Sequence, residues 1–410
     1  MSARLRTATC HFFRLQELRT REGSDKCHVT MLGHVSSSQC LAQVPILTLD
    51  GGWNAGCQED GKKELNTMAP TKYTTRTIPR ISLANFPTRL DAITAQLLHA
   101  AETDGFFSLT DSEISIPDIN AIFSTSKSFF ALPDAIKATV PFTHANVGWE
   151  TRSQIRPSTG VADQKESYQL QFGSNMSGKW LPDAALPAFK PSAQLFMQKA
   201  QSLSEKLMLC FARGLGFPDD FFVQAHDSSR PDCQSVLRLL HYFAVDPAAG
   251  PLPETYYRAG AHADWDFLTL LFQLPGQSGL EICPGREVVT NFGIGDEWTK
   301  VEFAAGDIVC NIGDLLMSWS DDRFKSTCHR VKAPEEEGDW FGPRYSIAFF
   351  NQPGRDCEIQ GPGRKYPMVT GAEFTRAAME RNFNAVRARE EVAQRAGGVE
   401  GATRVMAAAA

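Results

Sequence analysis

The chain has 410 residues, of which 42% are hydrophobic and 21% are charged, and its formal net charge is −6. This composition is ordinary for a globular protein with one large domain or two smaller ones. The mildly acidic balance gives no reason to expect a nucleic-acid partner, and no apolar run reaches the ~18–20 residues of a membrane span.

The first 67 residues differ from the rest of the chain. They show no clear periodicity and hold four of the ten cysteines, whereas MAPTKYTTRTIPRISL begins at Met68 like an independent start. We interpret 1–67 as a disordered or non-native extension. The alternative is a mitochondrial presequence at residues 1–25. Such presequences contain few acidic residues, whereas this segment contains Glu17 and Glu22. The cysteines form no C-x-x-C pairs, which is typical of a reducing compartment, so we expect a cytoplasmic protein.

Residues 68–230 predict a mainly helical leader domain with short strands. The strands are expected at 78–83 and 106–109. Helices are expected at 90–105, from Pro117 onward, and at 193–214, where Gly214 would close the last one. The stretch 146–170 is polar and charged and is interpreted as a long loop.

Residues 231–355 change to about eight short strands separated by turn signals, which predicts a double-sheet jelly roll or barrel. The chain would end, at 356–410, with a helix over 371–391 and a low-complexity tail. The expected fold is therefore mostly β with flanking helices: a jelly-roll core behind an N-terminal helical leader domain.

The segment GAHADWDFLTLLFQ (260–273) places His262 and Asp264 two residues apart, just before an apolar strand. In an extended chain these two side chains point to the same side. An imidazole and a carboxylate supply two ligands of a 2-His-1-carboxylate triad, which leaves open positions on Fe(II). The alternative is a solvated turn.

The third ligand candidate is His329, in KSTCHRV. A jelly roll brings distant strands side by side, so His329 can meet Asp264 at one mouth of the barrel; the alternative is a core histidine. Farther on, Arg344 and Ser346 share one side of a strand and form a fork suited to a carboxylate. Here the alternative is an arginine paired with an acidic side chain.

In this order, H-x-D, a distant H and R-x-S, the chain resembles the isopenicillin N synthase-like branch of the Fe(II)/2-oxoglutarate-dependent dioxygenases, in a fungal-type form. The resemblance covers roughly residues 78–355 and includes HADWDFLTLLFQ, GLEI, CHRV and RYSIAFFNQP, with IPRISL, ETDGFF and NVGWE in the leader. It implies that His262, Asp264 and His329 bind iron, and that Arg344 and Ser346 bind the distal carboxylate of 2-oxoglutarate.

The resemblance also implies a role for Tyr242, at a position where the family often has a tyrosine that reaches the same carboxylate. The implied cofactors are Fe(II), 2-oxoglutarate as co-substrate, and O2. The implied partner is a small-molecule substrate, with no nucleic acid or membrane, and we expect a monomer or weak homodimer.

Candidate substrate contacts are less constrained by the sequence. Trp265 flanks the triad, and Phe349 or its neighbour Phe350 must face the lumen, although aromatic barrel core is an equal alternative. Asp266 stands where the family usually has a small residue; it would either steer a polar or cationic substrate group, or turn outward to solvent or cap the turn. Arg156, in the polar loop, could meet the substrate or be solvated.

The leading hypothesis is a 2-oxoglutarate-dependent dioxygenase that hydroxylates, desaturates or rearranges a small molecule, in secondary metabolism. The runner-up is an oxidase of the isopenicillin N synthase type that needs no 2-oxoglutarate. A third hypothesis is a catalytically silent jelly-roll binding protein, against which the three predicted ligands argue.

Overall fold

The computed structural model describes residues 72–156, 161–253, 255–287 and 297–380. The expected extension at 1–67 and most of the C-terminal tail lie outside these residues. In the described part, no helix is both long enough and apolar enough to cross a membrane.

The described strands are β1 Lys72–Tyr73, β2 Arg80–Ser82, β3 Phe106–Thr110, β4 Gly148–Thr151, β5 Lys165–Gln171, β6 Val236–Tyr242, β7 Ala259–His262, β8 Leu268–Gln273, β9 Leu280–Glu287, β10 Glu297–Lys300, β11 Ile308–Ile312, β12 Thr327–Val331, β13 Arg344–Asn351, β14 Glu358–Ile359 and β15 Val369–Thr370. The helices are α1 Phe86–Thr103, α2 Ile116–Phe130, α3 Asp134–Lys137, α4 Phe189–Leu215, α5 Phe221–Ala225 and α6 Asp314–Trp319. Residues 371–380 are also helical, and the remainder of the helix predicted at 371–391 lies outside the described residues.

Two sheets face each other and form the jelly roll. The larger sheet has the order β2-β3-β11-β8-β13-β6-β5-β4, and the smaller has the order β1-β10-β9-β12-β7. Leu240 and Ala348 of the larger sheet pack with Leu280 and Val331 of the smaller one. This contact identifies the inward face of each strand, because side chains alternate between faces along a strand.

The outward face of the larger sheet packs on the helices. The long helix α4 buries residues such as Phe196 and Phe211 against it, in a core that also contains Tyr168 and Phe349. A capping box begins α2, in which Ser115 and Asp118 satisfy each other's backbone N–H groups. The helices thus cover the side of the sheet that faces away from the lumen.

Two expectations from the sequence were wrong here. The stretch 146–170 is not a plain loop, because it contains β4 and most of β5, which pair with each other and with β6. Every residue of β5 is buried, so its polar character reflects a polar lumen and not solvent. Helix α4 ends at Gly216, whose φ of 77° suits glycine, and not at Gly214.

Candidate active site

Three of the predicted residues converge at the open end of the barrel. His262, at the end of β7, is the register partner of His329 in β12. The Nε2 atom of each histidine lies 3.7 Å from Oδ1 of Asp264. One ligand atom from each of the three residues falls within 4.8 Å of the others, and no other such group occurs in the described ranges.

Hydrogen bonds from the backbone fix the orientation of both imidazole rings. His262 Nδ1 lies 2.8 Å from the carbonyl oxygen of Gly260, and His329 Nδ1 lies 3.1 Å from that of Thr327. Since a carbonyl oxygen can only accept, Nδ1 carries the proton in each ring and Nε2 presents its lone pair. This is the usual arrangement of histidines that bind a metal through Nε2.

The carboxylate of Asp264 is oriented in the same way. Its Oδ2 accepts hydrogen bonds from Thr269 Oγ1 at 2.7 Å and from Asn311 Nδ2 at 2.8 Å. Oδ1 therefore remains directed toward the two Nε2 atoms. Burial, reinforced by the positive charge of Arg156, holds the pKa of His262 well below its usual range. Two imidazole Nε2 atoms with one carboxylate fit Fe(II), and three protein ligands leave positions for other groups.

Asp266 does not turn outward to solvent, so that expectation was wrong. Its side chain is buried, and its Oδ2 lies 3.0 Å from Thr269 Oγ1. Gly313 is packed so closely that a Cβ there would lie 2.4 Å from Asp266 Oδ1. Burial and the nearby charge of Asp264 raise the pKa of Asp266 well above its usual range. Asp266 therefore contacts Thr269, whose hydroxyl also bonds to Asp264 of the triad.

The deep end of the barrel, as we call the region of Arg344, Ser346, Tyr242 and Arg258, holds buried positive charge. Arg344 and Ser346 share the inward face of β13, and Tyr242 is the register partner of Arg344. The guanidinium carbon of Arg344 lies 5.0 Å from the ring centroid of Tyr242. Arg344 donates from Nη2 to Gln273 at 2.7 Å, whereas its buried Nη1 has no hydrogen-bond partner among the described residues.

A second buried arginine, Arg258, was not predicted from the sequence. It is almost fully buried and donates from Nη2 to the carbonyl oxygen of Gly342 at 2.8 Å. Burial and the positive charge of Arg344 lower its pKa to about 10. The only available signal was an arginine four residues before His262, which is not specific. Two buried cations close together favour an anion between them.

Arg238 and Glu150, which face the lumen from β6 and β4, were also not predicted from the sequence. Arg238 Nη2 donates to Glu150 Oε1 at 3.1 Å, and within the described ranges Arg238 Nε has no partner. Burial alone would raise the pKa of Glu150, but Arg238 and two serine hydroxyls hold it below its ordinary value. Ser167 and Gln169 of β5 extend this polar wall, as their register with β6 places them on the same face.

The mouth of the barrel, as we call the region of Trp265, Phe350, Gln171 and Gln352, includes the residue that follows Asp264 of the triad. A cavity of about 370 Å³ is lined by Trp265, Gln171 and Gln352, and by Thr375 and Arg376; the triad residues are not part of this lining. A cavity of this size can hold a small organic molecule.

Phe349 was wrongly predicted as a substrate contact. It lies on the outward face of β13, where it is fully buried in the core and packs edge-on against Phe172 at 6.3 Å. Phe350 instead shares the inward face of Ser346, and the guanidinium of Arg238 lies 6.0 Å from its ring centroid. The sequence required one of the two to face the lumen, and the register selects Phe350.

Arg156 lies near the site but is bonded to protein. Its Nε donates to Asp163 Oδ2 at 2.9 Å, and its side chain is only 16% exposed. A direct contact of Arg156 with substrate stays a prediction.

Comparisons with known proteins agree with this geometry. The 2OG-Fe(II) oxygenase superfamily model matches residues 233–353. The model for the N-terminal region of non-haem dioxygenases in morphine synthesis matches 78–185. Among curated proteins, proline hydroxylase buaE of Petromyces alliaceus is 32% identical over 67% of this chain and 85% of its own length. The chain belongs to the 2OG-Fe(II) oxygenase superfamily.

Further relatives of this oxygenase include 2-oxoglutarate-dependent dioxygenase frbA of Dothideomycetidae sp., which is 31% identical over 62% of this chain and 77% of its own length. Among solved structures, Neurospora crassa T7H in complex with alpha-KG and thymine is 30% identical. That match covers 72% of this chain and 94% of T7H, with a TM-score of 0.63.

The comparisons confirm the expected family, fold and fungal type. This oxygenase is a non-haem Fe(II), 2-oxoglutarate-dependent dioxygenase that oxidises a small organic molecule and uses Fe(II), 2-oxoglutarate and O2. Neither the oxidase that needs no 2-oxoglutarate nor the silent binding protein is supported by them.

Proposed function

We propose that His262, Asp264 and His329 are the iron ligands of this dioxygenase. The convergence of two Nε2 atoms on Asp264 Oδ1, at 3.7 Å each, supports this assignment. Fe(II) in this site, with 2-oxoglutarate and O2, would supply the oxidising power that attacks a substrate C–H bond. The protein's contribution is to orient the ligands through Gly260, Thr327, Thr269 and Asn311, and to exclude water.

The proposal assigns the distal carboxylate of 2-oxoglutarate to Arg344 and Ser346, with Tyr242 beside them. The unpartnered, buried Nη1 of Arg344 supports this role, because a buried guanidinium is costly unless an anion meets it. Arg258 adds a second positive charge to the same pocket. Arg258 would therefore strengthen the attraction for the dianion without having to touch it.

For the substrate, we propose a small planar cyclic amide, such as a pyrimidine base, in secondary metabolism or base salvage. Arg238 supplies a buried hydrogen-bond donor on the inward face, and the ring of Phe350 lies beside it. A carbonyl oxygen could accept from Arg238 while the flat face of the ring packs on Phe350. The similarity to T7H, whose structure contains thymine, points to the same class.

Free L-proline is a second candidate. The proline hydroxylase relative suggests it, and a substrate carboxylate could pair with Arg238 in the same place as a carbonyl oxygen.

The first experiment is anaerobic and needs no substrate. Purified protein is mixed with Fe(II) and 2-oxoglutarate, and the weak visible charge-transfer band of the chelate is recorded. We expect the band in the wild type, its loss in His329→Ala, and a much higher 2-oxoglutarate requirement in Arg344→Ala. An unchanged band in both variants would contradict the assigned residues.

Substrate classes are then compared by succinate release. Thymine and uracil should accelerate it above the uncoupled rate, whereas L-proline should not. Acceleration by L-proline alone would transfer the proposal to the amino-acid class.

We also propose that the protein is cytoplasmic and a monomer or weak homodimer. The ten cysteines without C-x-x-C pairs support a reducing compartment. Fractionation of cells that express a tagged chain, and light scattering of the purified protein, test the two statements.

A further inference from the structure

A buried carboxylate, Asp163, lies just before β5 and receives three hydrogen bonds. Lys165 Nζ donates to its Oδ2 at 2.6 Å, and Arg156 Nε donates to the same oxygen at 2.9 Å. The backbone N–H of Gly260 donates to the other oxygen, Oδ1, at 3.0 Å. Asp163 is only 2% exposed, so these contacts are shielded from water.

The third contact leads directly to the iron site. Gly260 lies in β7, and its carbonyl oxygen holds His262 Nδ1 at 2.8 Å. Asp163 therefore fixes the residue that orients the imidazole of His262. Only one intermediate residue separates the carboxylate from the metal-binding side chain.

The strand that carries His262 needs such support because β7 is the edge strand of the smaller sheet, paired only with β12. Its register with β12 shifts between His329 and Val331, so the pairing itself is irregular. On the open edge, Asp163 accepts from Gly260, and the backbone N–H of Gln164 donates to the carbonyl oxygen of Tyr257 at 3.2 Å. Residues 163–164 thus bond to the edge of β7 on the side where no strand pairs with it in the described sheet.

We propose that Asp163 is a positioning residue for iron binding, which acts on His262 through Gly260. Arg156 and Lys165 serve to keep the carboxylate charged and in place. The inference rests on the proposed role of His262 as an iron ligand. It also gives Arg156 a function that requires no contact with substrate.

Glu166, the next carboxylate along the chain, provides a matched comparison. It is also buried, and it is paired with Lys137 Nζ at 2.7 Å and His241 Nδ1 at 2.8 Å. It lies on the opposite face of β5, and none of its hydrogen bonds to the described residues reaches β7. Removal of either charge should cost stability, but only the loss of Asp163 should change the metal site.

The test measures metal affinity without turnover. Fe(II) and Co(II) dissociation constants are determined anaerobically for the full chain, with the Co(II) visible spectrum as a report on ligand geometry. The variants are Asp163→Ala, Lys165→Met, Glu166→Gln and His262→Ala, and the melting temperature of each apo protein is recorded.

We expect Asp163→Ala to weaken metal binding by about 10- to 100-fold, as loss of an outer hydrogen-bond partner does in other metal sites, and to shift the Co(II) spectrum. Lys165→Met removes one of the two cations that hold the carboxylate but leaves the Gly260 contact, so we expect a loss smaller than that of Asp163→Ala, whereas Glu166→Gln should stay within about threefold of wild type. If Asp163→Ala does not fold, Asp163→Asn replaces it, with a smaller loss of the same sign expected.

The outcomes separate this inference from the one it rests on. If metal affinity falls in step with melting temperature across Asp163→Ala and Glu166→Gln, Asp163 is only a structural residue and the inference is overturned. Wild-type affinity in Asp163→Ala, together with lost affinity in His262→Ala, overturns it as well but leaves His262 an iron ligand. Wild-type affinity in His262→Ala removes the proposed iron role itself.

Discussion

The deep end and the mouth of the barrel show two ways to place charge in a lumen. At the deep end, Arg344 and Arg258 are both buried, and their hydrogen-bond partners among the described residues include no acidic side chain. Toward the mouth, Arg238 is paired with Glu150, and Phe350 lies beside it. The first arrangement suits a dianion, whereas the second is almost neutral and suits a polar molecule without a strong charge. On the proposed assignments, one barrel therefore separates co-substrate from substrate by charge.

The sharpest test of this difference is Arg344→Met. Removal of a buried partner of a charged group costs about 2–5 kcal/mol, so the KM for 2-oxoglutarate should rise by roughly 30- to several thousand-fold. The KM for substrate should change little. A comparable rise in both values would mean that the two ends are not independent.

Arg238→Met tests the other end. Loss of one charge-assisted hydrogen bond is worth about 1.5–3 kcal/mol, so the substrate KM should rise by roughly 10- to 150-fold. Uncoupled 2-oxoglutarate turnover should persist with an unchanged KM for 2-oxoglutarate. Arg238→Met leaves Glu150 without its cation, so Arg238→Lys, which retains the charge, serves as the control. A large rise in the KM for 2-oxoglutarate in Arg238→Met, with none in Arg238→Lys, would contradict the distinction between the two ends.

The smallest effect is expected for Arg258→Met. The charge of Arg258 attracts the dianion without having to contact it. We take this attraction to be worth about 1 kcal/mol, so its loss should raise the KM for 2-oxoglutarate roughly fivefold. Raising the salt concentration should affect wild type and variant alike, since the pocket is buried. Arg258→Lys should restore most of the affinity; failure to do so would show that the hydrogen bond to Gly342, and not the charge, is what matters.

The sequence predicted the deep end better than the mouth, and the reason is physical. Arg344 and Ser346 lie two residues apart on one strand, so their common face follows from the period of the strand alone. Arg238 and Glu150 are 88 residues apart and meet only through the pairing of β4, β5 and β6. No local pattern contains that information.

The polar strand β5 misled the prediction for the same reason. KESYQLQ is polar in alternate positions because its inward face contributes to the polar lumen, and its outward face carries Glu166 as well as Tyr168 and Leu170. Without the pairing to β6, this pattern resembles a solvated loop. Phe349 and Phe350 posed a related problem, since adjacent aromatic residues occupy opposite faces and only the register decides which one faces the lumen.

The order of the larger sheet has a consequence for recombination between relatives. Strands β2 and β3 form one edge of that sheet and β4 and β5 form the other, whereas β11, β8, β13 and β6 lie between them. The segment matched by one family model therefore supplies both edges of a sheet whose middle strands come from the segment matched by the other. Chimeras that exchange residues 78–185 with a relative would have to preserve the strand pairing between β3 and β11 and between β5 and β6. We expect substrate preference to follow the residues at the β5–β6 pairing.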